Sequence, residues 1–230
     1  MADYSIVVPV HNEAESLPIL WNELKREMEK LTQSYEVIFV DDGSSDRSLE
    51  FLADLQNSFP QEVQVIRLAQ RRGQTFALKE GLSRIRGKIA MTLDADLQND
   101  PADIPRLLEK MEEGYDVVCG WRRVRMDEPL KRTFSQLANI LQRQMTGVPV
   151  HDLSCTLRIY KRECLNDVSL TWDGQHRFIP LILFRRGYKI AEVVSNHRKR
   201  FYGTSKYRHR RIPQVVLHFF KILSELDKGV

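Results

Sequence analysis

The chain has 230 residues, 42% apolar and 29% charged. That is length and apolar content enough for one large α/β domain, and it excludes a disordered or fibrous chain. The net charge of +4 is unevenly spread: residues 1–116 carry 22 acids against 13 Lys and Arg, and residues 117–230 carry 9 against 22, so the second half is expected to meet something anionic.

The first 120 residues alternate between two hydrophobic periods. A short β-branched run at 5–10 predicts a strand, and Leu17, Leu20, Leu24, Met28 and Leu31 then recur at helical spacing. Residues 36–40 form a second strand pattern. Asp46 is placed to cap a helix carrying Leu49, Leu52 and Leu55. Strands are expected at 63–68 and 89–93, with a helix at 75–85 between them. Asp100 followed by Pro101 marks another helix start, and 116–120 a fifth strand. Further on, 134–145 and 177–185 read as helices, 158–160 and 189–194 as short strands, and 212–226 as an apolar-rich helix. This β-α-β-α order predicts an α/β fold with a mostly parallel sheet covered on both faces, whose ligands bind at the carboxyl ends of the strands.

No run reaches the ~20 apolar residues that span a bilayer, and Met1 leads straight into a strand pattern without a signal peptide. Cys119, Cys155 and Cys164 show no CxxC spacing and read as reduced, packed thiols rather than zinc ligands or a disulfide.

Polar clusters fall at the predicted strand ends: Pro9 and His11–Asn12–Glu13 after the first, Asp41–Asp42–Gly43–Ser44–Ser45–Asp46 after the second, and Asp94–Ala95–Asp96–Leu97–Gln98 after the fourth. Two carboxylates at i and i+2 in a turn suit Mg²⁺ or Mn²⁺, which would neutralise a diphosphate as it departs. The same aspartates could serve only as helix caps, and the Asp41–Asp46 stretch only as a polar strand-to-helix turn. The stretch from Gly81 to Lys88 imitates a P-loop but has five intervening residues, lacks the following Ser or Thr, and runs into a strand instead of out of one. No GxGxxG follows the first strand. Residues 185–211 hold ten Lys and Arg and one acid, Glu192, a composition suited to phosphate. A solvated basic face is the plain alternative. Phe201, Tyr202 and Tyr207 would permit nucleic-acid stacking, but no nucleic-acid partner is expected.

Together these stretches form a family pattern. VVPVHNE (7–13), VDDGSSD (40–46), LDADLQNDP (93–101), HDLSCTLRIYKRE (151–163), HRFIP (176–180) and H..R..G.SKY (197–207) resemble the inverting family-two glycosyltransferases of GT-A fold. Within them, the chain looks like the polyprenyl-phosphate branch that includes dolichol-phosphate mannose synthase. The first three stretches are shared widely in that family, and the last three point to lipid-phosphate acceptors.

The resemblance implies transfer of a hexose from a nucleotide sugar, of GDP-mannose or UDP-glucose type, to a polyprenyl or dolichyl phosphate. Pro9, Asn12, Glu13, Asp41, Asp42, Asp94 and Ala95 would hold the nucleotide sugar. Asp96 and Gln98 would ligate Mg²⁺ or Mn²⁺. Arg122, Arg158, Arg200, Ser205 and Lys206 would bind the acceptor phosphate, with Asp94, Asp96, Arg122 and Arg158 as the catalytic set. Residues 1–230 would form a single catalytic domain: 1–120 for the donor, 121–211 for the acceptor, and 212–230 as an amphipathic helix near a membrane. An anionic membrane surface is the expected partner, met from the cytoplasmic side either peripherally or as the soluble catalytic portion of a membrane protein, since members of this branch commonly continue into transmembrane helices. Two departures stand out: QRRG at 70–73 where many relatives carry RNFG, and WDGQ at 172–175 where they often place a Glu nearer the His. The enzyme alternative is a hydroxyl acceptor, which would need a carboxylate base such as Asp152 or Asp173. Asp152 is otherwise expected to pair with Arg158. A nucleotidyltransferase would use the same carboxylates and release pyrophosphate, and the non-enzyme alternative is a basic module for acidic lipid or nucleic acid.

Overall fold

The computed structural model describes residues 2–124, 139–199 and 212–227, with side chains from 217 to 226 in the last stretch. Its strands are β1 (Tyr4–Val10), β2 (Tyr35–Asp41), β3 (Val63–Arg67), β4 (Ile89–Thr92), β5 (Val117–Trp121), β6 (Arg158–Lys161) and β7 (Ile190–Val194). They form one sheet in the order β3-β2-β1-β4-β6-β5-β7. The helices are α1 (Leu17–Glu29), α2 (Ser48–Ser58), α3 (Gln74–Leu82), α4 (Ile104–Glu112), α5 (139–146 in its described part), α6 (Ile179–Arg185) and α7 (Ile212–Asp227). Residues 134–138, the start of the helix expected at 134–145, lie outside the described residues.

Strand periodicity sorts the core into two layers. Ile6, Val8, Val37, Phe39 and Met91 face one side, where Leu20, Leu24 and Met28 of α1, Leu52 of α2 and Leu107 of α4 cover them. Val7, Ile38, Val40, Ala90 and Tyr160 face the other, against Ala77 and Leu78 of α3, Leu181 of α6 and Phe219 of α7. Adjacent strand residues point to opposite faces, so runs such as Ile6–Val7–Val8 must be apolar throughout.

β1 pairs in parallel with both β2 and β4, so the chain reverses its direction across the sheet at β1. A crevice outside the carboxyl ends of β1 and β4 follows from that switch. β6 runs antiparallel between β4 and β5. Its first residue, Arg158, therefore lies beside Thr92 of β4 and Cys119 of β5, on the edge where the parallel strands end.

Asp100 forms the expected cap, whereas Arg47 takes the N-cap position of α2 and Asp46, one residue earlier, still bonds the first helical N–H. Asp100 accepts from Ala102 N–H at 3.1 Å to open the 3-10 turn before α4, and Asp46 accepts from Ser48 N–H at 3.0 Å where α2 begins. All three cysteines are free and buried. Burial pushes the Cys119 thiol up to about 12 and that of Cys155 up to about 11, so both act as packing groups.

α7 packs on the domain through buried Phe219 and Ile222 and a Trp172–His218 ring contact at 4.7 Å, yet leaves Leu217 66% and Phe220 51% exposed. Ile140, Leu141 and Met145 are likewise exposed on α5. Among the described residues, no helix is long and apolar enough to cross a membrane.

Candidate active site

Three loops at the carboxyl edge are stitched together by their own polar groups. Asn12, in the left-handed region at φ 53°, accepts from Ser45 N–H at 2.7 Å, and its own N–H donates to Ser44 Oγ at 3.0 Å. Glu13 N–H donates to Ser48 Oγ, and Ala14 N–H to Asp46. These bonds fix the loop after β1 to the loop after β2. Pro9 pairs in register with Val40 just below, and Asp41, 1% exposed, takes Ser44 N–H.

Asp42 reaches across to the next loop. Its two carboxylate oxygens accept from Arg72 N–H at 2.6 Å and Gly73 N–H at 2.9 Å, the donors that lead into α3. The close approach needs glycine at Gly43, since a Cβ there would lie 2.7 Å from the Arg71 nitrogen. Gln74, the first residue of α3, donates through Nε2 to Asp94 Oδ1 at 2.6 Å. Asp173 lies against the same helix start: a Cβ on Gly73 would be 2.6 Å from its Oδ1. Asp42, Asp94 and Asp173 thus gather at the N-terminus of α3, where the helix dipole favours anionic groups.

The loop after β4 turns at Leu97, which has φ 63°, and Asp96 Oδ1 accepts from Gln98 N–H at 3.1 Å. Ala95 is buried against the core beneath it. Among the described residues, no group of three His, Cys, Asp or Glu side chains is placed to hold a metal ion by itself. Hard carboxylate oxygens from Asp94 and Asp96 nevertheless fit Mg²⁺ or Mn²⁺, because these ions use one or two protein carboxylates and complete their shell with substrate phosphates and water.

Arg122, just past β5, forks onto Asp152 at 2.7 and 3.0 Å and adds Ser154 Oγ at 2.7 Å. Asp152 therefore pairs with Arg122, and the expected Asp152–Arg158 pair does not form. The reason is register: β6 points the Arg158 side chain inward, where it is 2% exposed. Its guanidinium donates to the carbonyls of His176 (2.8 Å), Leu153 (2.6 Å) and Arg177 (3.2 Å). In this structure Arg158 braces two loops from below and is not laid open to a phosphate. Arg200, Ser205 and Lys206 lie outside the described residues.

Sequence reasoning passed over Gln74 and a buried link between Thr75 and His176. Thr75 Oγ1 accepts from Gly174 N–H and shares a 2.7 Å bond with His176 Nδ1. Burial, and then the charges of Arg177 and Arg158, hold the His176 imidazole well below the usual histidine range. Its native state is neutral, whereas the unfolded chain takes up a proton below about pH 6.5. Stability from this group is therefore full above that pH and falls as the pH drops toward the folded-state value. Urea midpoints measured from pH 7.5 to 4.5 should fall less steeply for His176→Gln than for the wild type. Parallel slopes would assign the acid sensitivity to other groups.

Residues 5–169 match the sequence profile of Glycosyl transferase family 2. Undecaprenyl-phosphate 4-deoxy-4-formamido-L-arabinose transferase of Yersinia enterocolitica is 40% identical over 203 residues, covering 88% of this chain and 62% of that protein. Its Yersinia pestis counterpart is 39% identical over 208 residues, covering 90% and 63%. The chain thus spans less than two thirds of the length of these curated relatives. Among solved structures, glucosyl-3-phosphoglycerate synthase from Mycobacterium tuberculosis with UDP superposes at a TM-score of 0.70 and 19% identity, over 96% of this chain and 79% of that one. The same synthase with Mn²⁺, UDP and glucosyl-3-phosphoglycerate gives 0.64 and 20%, over 86% and 73%. These neighbours match the mostly parallel sheet and its helices as a GT-A fold. With the profile spanning 5–169, from β1 through β6, the chain belongs to Glycosyl transferase family 2.

Proposed function

We propose that the chain is an inverting glycosyltransferase that moves a sugar from a nucleotide sugar to a polyprenyl phosphate. The observation that carries this reading is the meeting, at one carboxyl edge, of the acidic loops after β1, β2 and β4 with the ends of β5 and β7 in the basic half. The curated relatives are named for transfer to undecaprenyl phosphate, which supports the acceptor class. Their sugar is a formamido-arabinose, so the donor class reaches beyond the GDP-mannose and UDP-glucose types.

In this reading the stitched loops hold the nucleotide, with Asn12, Glu13, Asp41 and Asp42 on base and ribose and Pro9 and Ala95 as backbone walls. Asp96, Gln98 and Asp94 would hold Mg²⁺ or Mn²⁺, as the neighbours solved with Mn²⁺ or Mg²⁺ and UDP support. When bound, that ion offsets the charge developing on the departing nucleoside diphosphate. The acceptor phosphate is largely ionised at pH 7, its second pKa being about 6, and can attack without a general base. Its oxygen bonds to the anomeric carbon as the bond to the diphosphate oxygen breaks, which inverts that centre. Placement and charge complementarity supply the catalysis. Arg122, anchored on Asp152, is assigned to the acceptor phosphate, and the sequence motif assigns Arg200, Ser205 and Lys206 to the same group. We read the chain as one catalytic unit with its donor half in 1–120 and its acceptor half in 121–211.

A membrane surface fits the rest. Exposed Leu217 and Phe220 on α7, and Ile140, Leu141 and Met145 on α5, belong to the basic half of the chain. Such apolar faces with nearby Lys and Arg suit peripheral attachment to an anionic cytoplasmic leaflet. Vesicles containing anionic lipid should bind the protein and lose most of it as salt rises from about 0.05 to 0.5 M. Binding indifferent to salt and to lipid charge would contradict this attachment.

The substrate reading is tested by nucleoside diphosphate release from UDP- and GDP-sugars, including a nucleotide-linked 4-deoxy-4-formamido-L-arabinose, with Mn²⁺ and with or without undecaprenyl phosphate. One donor should release nucleoside diphosphate only when the lipid phosphate is present. Release driven by a saccharide acceptor instead, or release of pyrophosphate, would overturn the reading.

A further inference from the structure

Arg198 sits in the most basic stretch of the chain, between His197 and Lys199, where a phosphate ligand or a solvated cation would be expected. Its side chain is used inward instead. One guanidinium nitrogen donates to both oxygens of Glu23 on α1, at 2.9 and 2.7 Å. Two others engage Asp100, at 3.2 Å from Nε and 2.5 Å from the second terminal nitrogen. Its backbone N–H donates to the Gln98 carbonyl at 3.0 Å.

The neighbouring residues add to this seam. Asn99 and His197 form an antiparallel bridge. Asn196 donates its backbone N–H to Asp103 at 2.7 Å and its amide to Asp100 at 3.0 Å. The segment 196–198 is therefore laid along the loop that carries Asp96 and Gln98, and Arg198 ties both to α1.

We infer that Arg198 is a positioning residue for the 96–100 loop, locking it against Glu23 and thereby setting the Asp96–Gln98 donor pair. The inference rests on the proposed role of that pair in holding the ion that accompanies the nucleoside diphosphate. Its guanidinium is engaged by Glu23 and Asp100. A planar guanidinium is suited to the task, because it can fork onto two carboxylates on different elements at once. A misplacement of ligands by a fraction of an ångström is then expected to weaken ion binding while leaving the base and ribose loops, held by Asn12, Asp41 and Asp42, undisturbed.

The test uses Arg198→Met, Arg198→Lys and Glu23→Gln in the full chain, with Mn²⁺ affinity read by electron paramagnetic resonance in the presence of UDP or GDP. Nucleotide affinity in EDTA and hydrogen exchange at 97–99 are read alongside. Arg198→Met should weaken Mn²⁺ binding about tenfold and speed exchange at 97–99, yet change metal-free nucleotide affinity less than about twofold. Arg198→Lys should fall between it and the wild type. Glu23→Gln should act in the same direction and add little to Arg198→Met, because the two share one contact. Unchanged Mn²⁺ affinity, or an equal loss of metal-free nucleotide binding, would overturn the inference. If the wild type binds no nucleoside diphosphate at all, the donor-site reading itself fails. Exchange at 97–99 then decides the positioning claim: faster exchange in Arg198→Met supports it and unchanged protection overturns it.

Discussion

Asp96→Asn is expected to lower turnover by at least about 10² while leaving the fold intact. The substitution is nearly isosteric, and its side-chain oxygen can still accept from Gln98 N–H, the bond that holds the turn at Leu97. What it removes is the negative charge. If Asp96 serves only to shape the loop, the variant should work almost as well as the wild type. If it holds the ion that neutralises the departing diphosphate, kcat collapses even at saturating donor, because the missing interaction matters most as charge develops in the transition state. Steady-state kinetics at several Mn²⁺ concentrations, with a thermal melt as the folding control, separate the two. Retention of more than about a third of the wild-type turnover would contradict the metal role. A basic module that binds acidic lipid would show no dependence on Asp96.

Arg122→Ala carries the largest expected effect on stability, a loss of about 3 kcal/mol. The side chain of Asp152 is 3% exposed and that of Arg122 13%, so the fork between them is largely removed from water. Glu192 lies next to it, accepting from the N–H groups of His151 and Asp152. Removing the guanidinium takes a two-pronged cation away from a buried carboxylate that lies beside another one, while Ser154 still donates to it through its N–H and its hydroxyl. Arg122→Lys keeps the charge but cannot reproduce the two-pronged geometry, and should recover only part of the loss. The double variant Arg122→Met/Asp152→Leu should lie closer to the wild type than Arg122→Ala does, since both charges of the pair are removed together. Urea unfolding measures all of these. A loss below about 1 kcal/mol for Arg122→Ala would show that the pair behaves like an exposed salt bridge.

The first 120 residues were the more legible part of the sequence, for physical reasons. Strands such as 5–10 and 36–40 are buried on both faces and read as short runs rich in Val and Ile, while α1 announces itself by Leu17, Leu20, Leu24 and Met28. Asp46 and Asp100 marked the helix starts because their carboxylates satisfy local backbone donors, and Pro101 did so because its fixed φ and missing N–H suit a first turn. The second half was harder. β6 has four residues, and nothing in Arg158–Lys161 signals that it runs antiparallel. That direction decides where Arg158 goes. A motif arginine reads as a phosphate ligand, but its partners here are carbonyls of Leu153, His176 and Arg177, set by long-range chain path instead of by pattern. Arg122 and Asp152, 30 positions apart, and Arg198 and Glu23, 175 apart, were hidden for the same reason. Local signals show where a loop begins, and only the folded chain shows which charge it meets.

The most direct measurement is the chemical identity of the product. Purified protein would be incubated with Mn²⁺, undecaprenyl phosphate and the donor that supports release, and the lipid phase analysed by mass spectrometry and NMR. The account predicts one sugar per lipid, joined through a single phosphate, with its anomeric configuration inverted relative to the donor and one nucleoside diphosphate released per glycolipid formed. A product with two phosphates, a retained configuration, or sugar found only on a hydroxyl acceptor would contradict it.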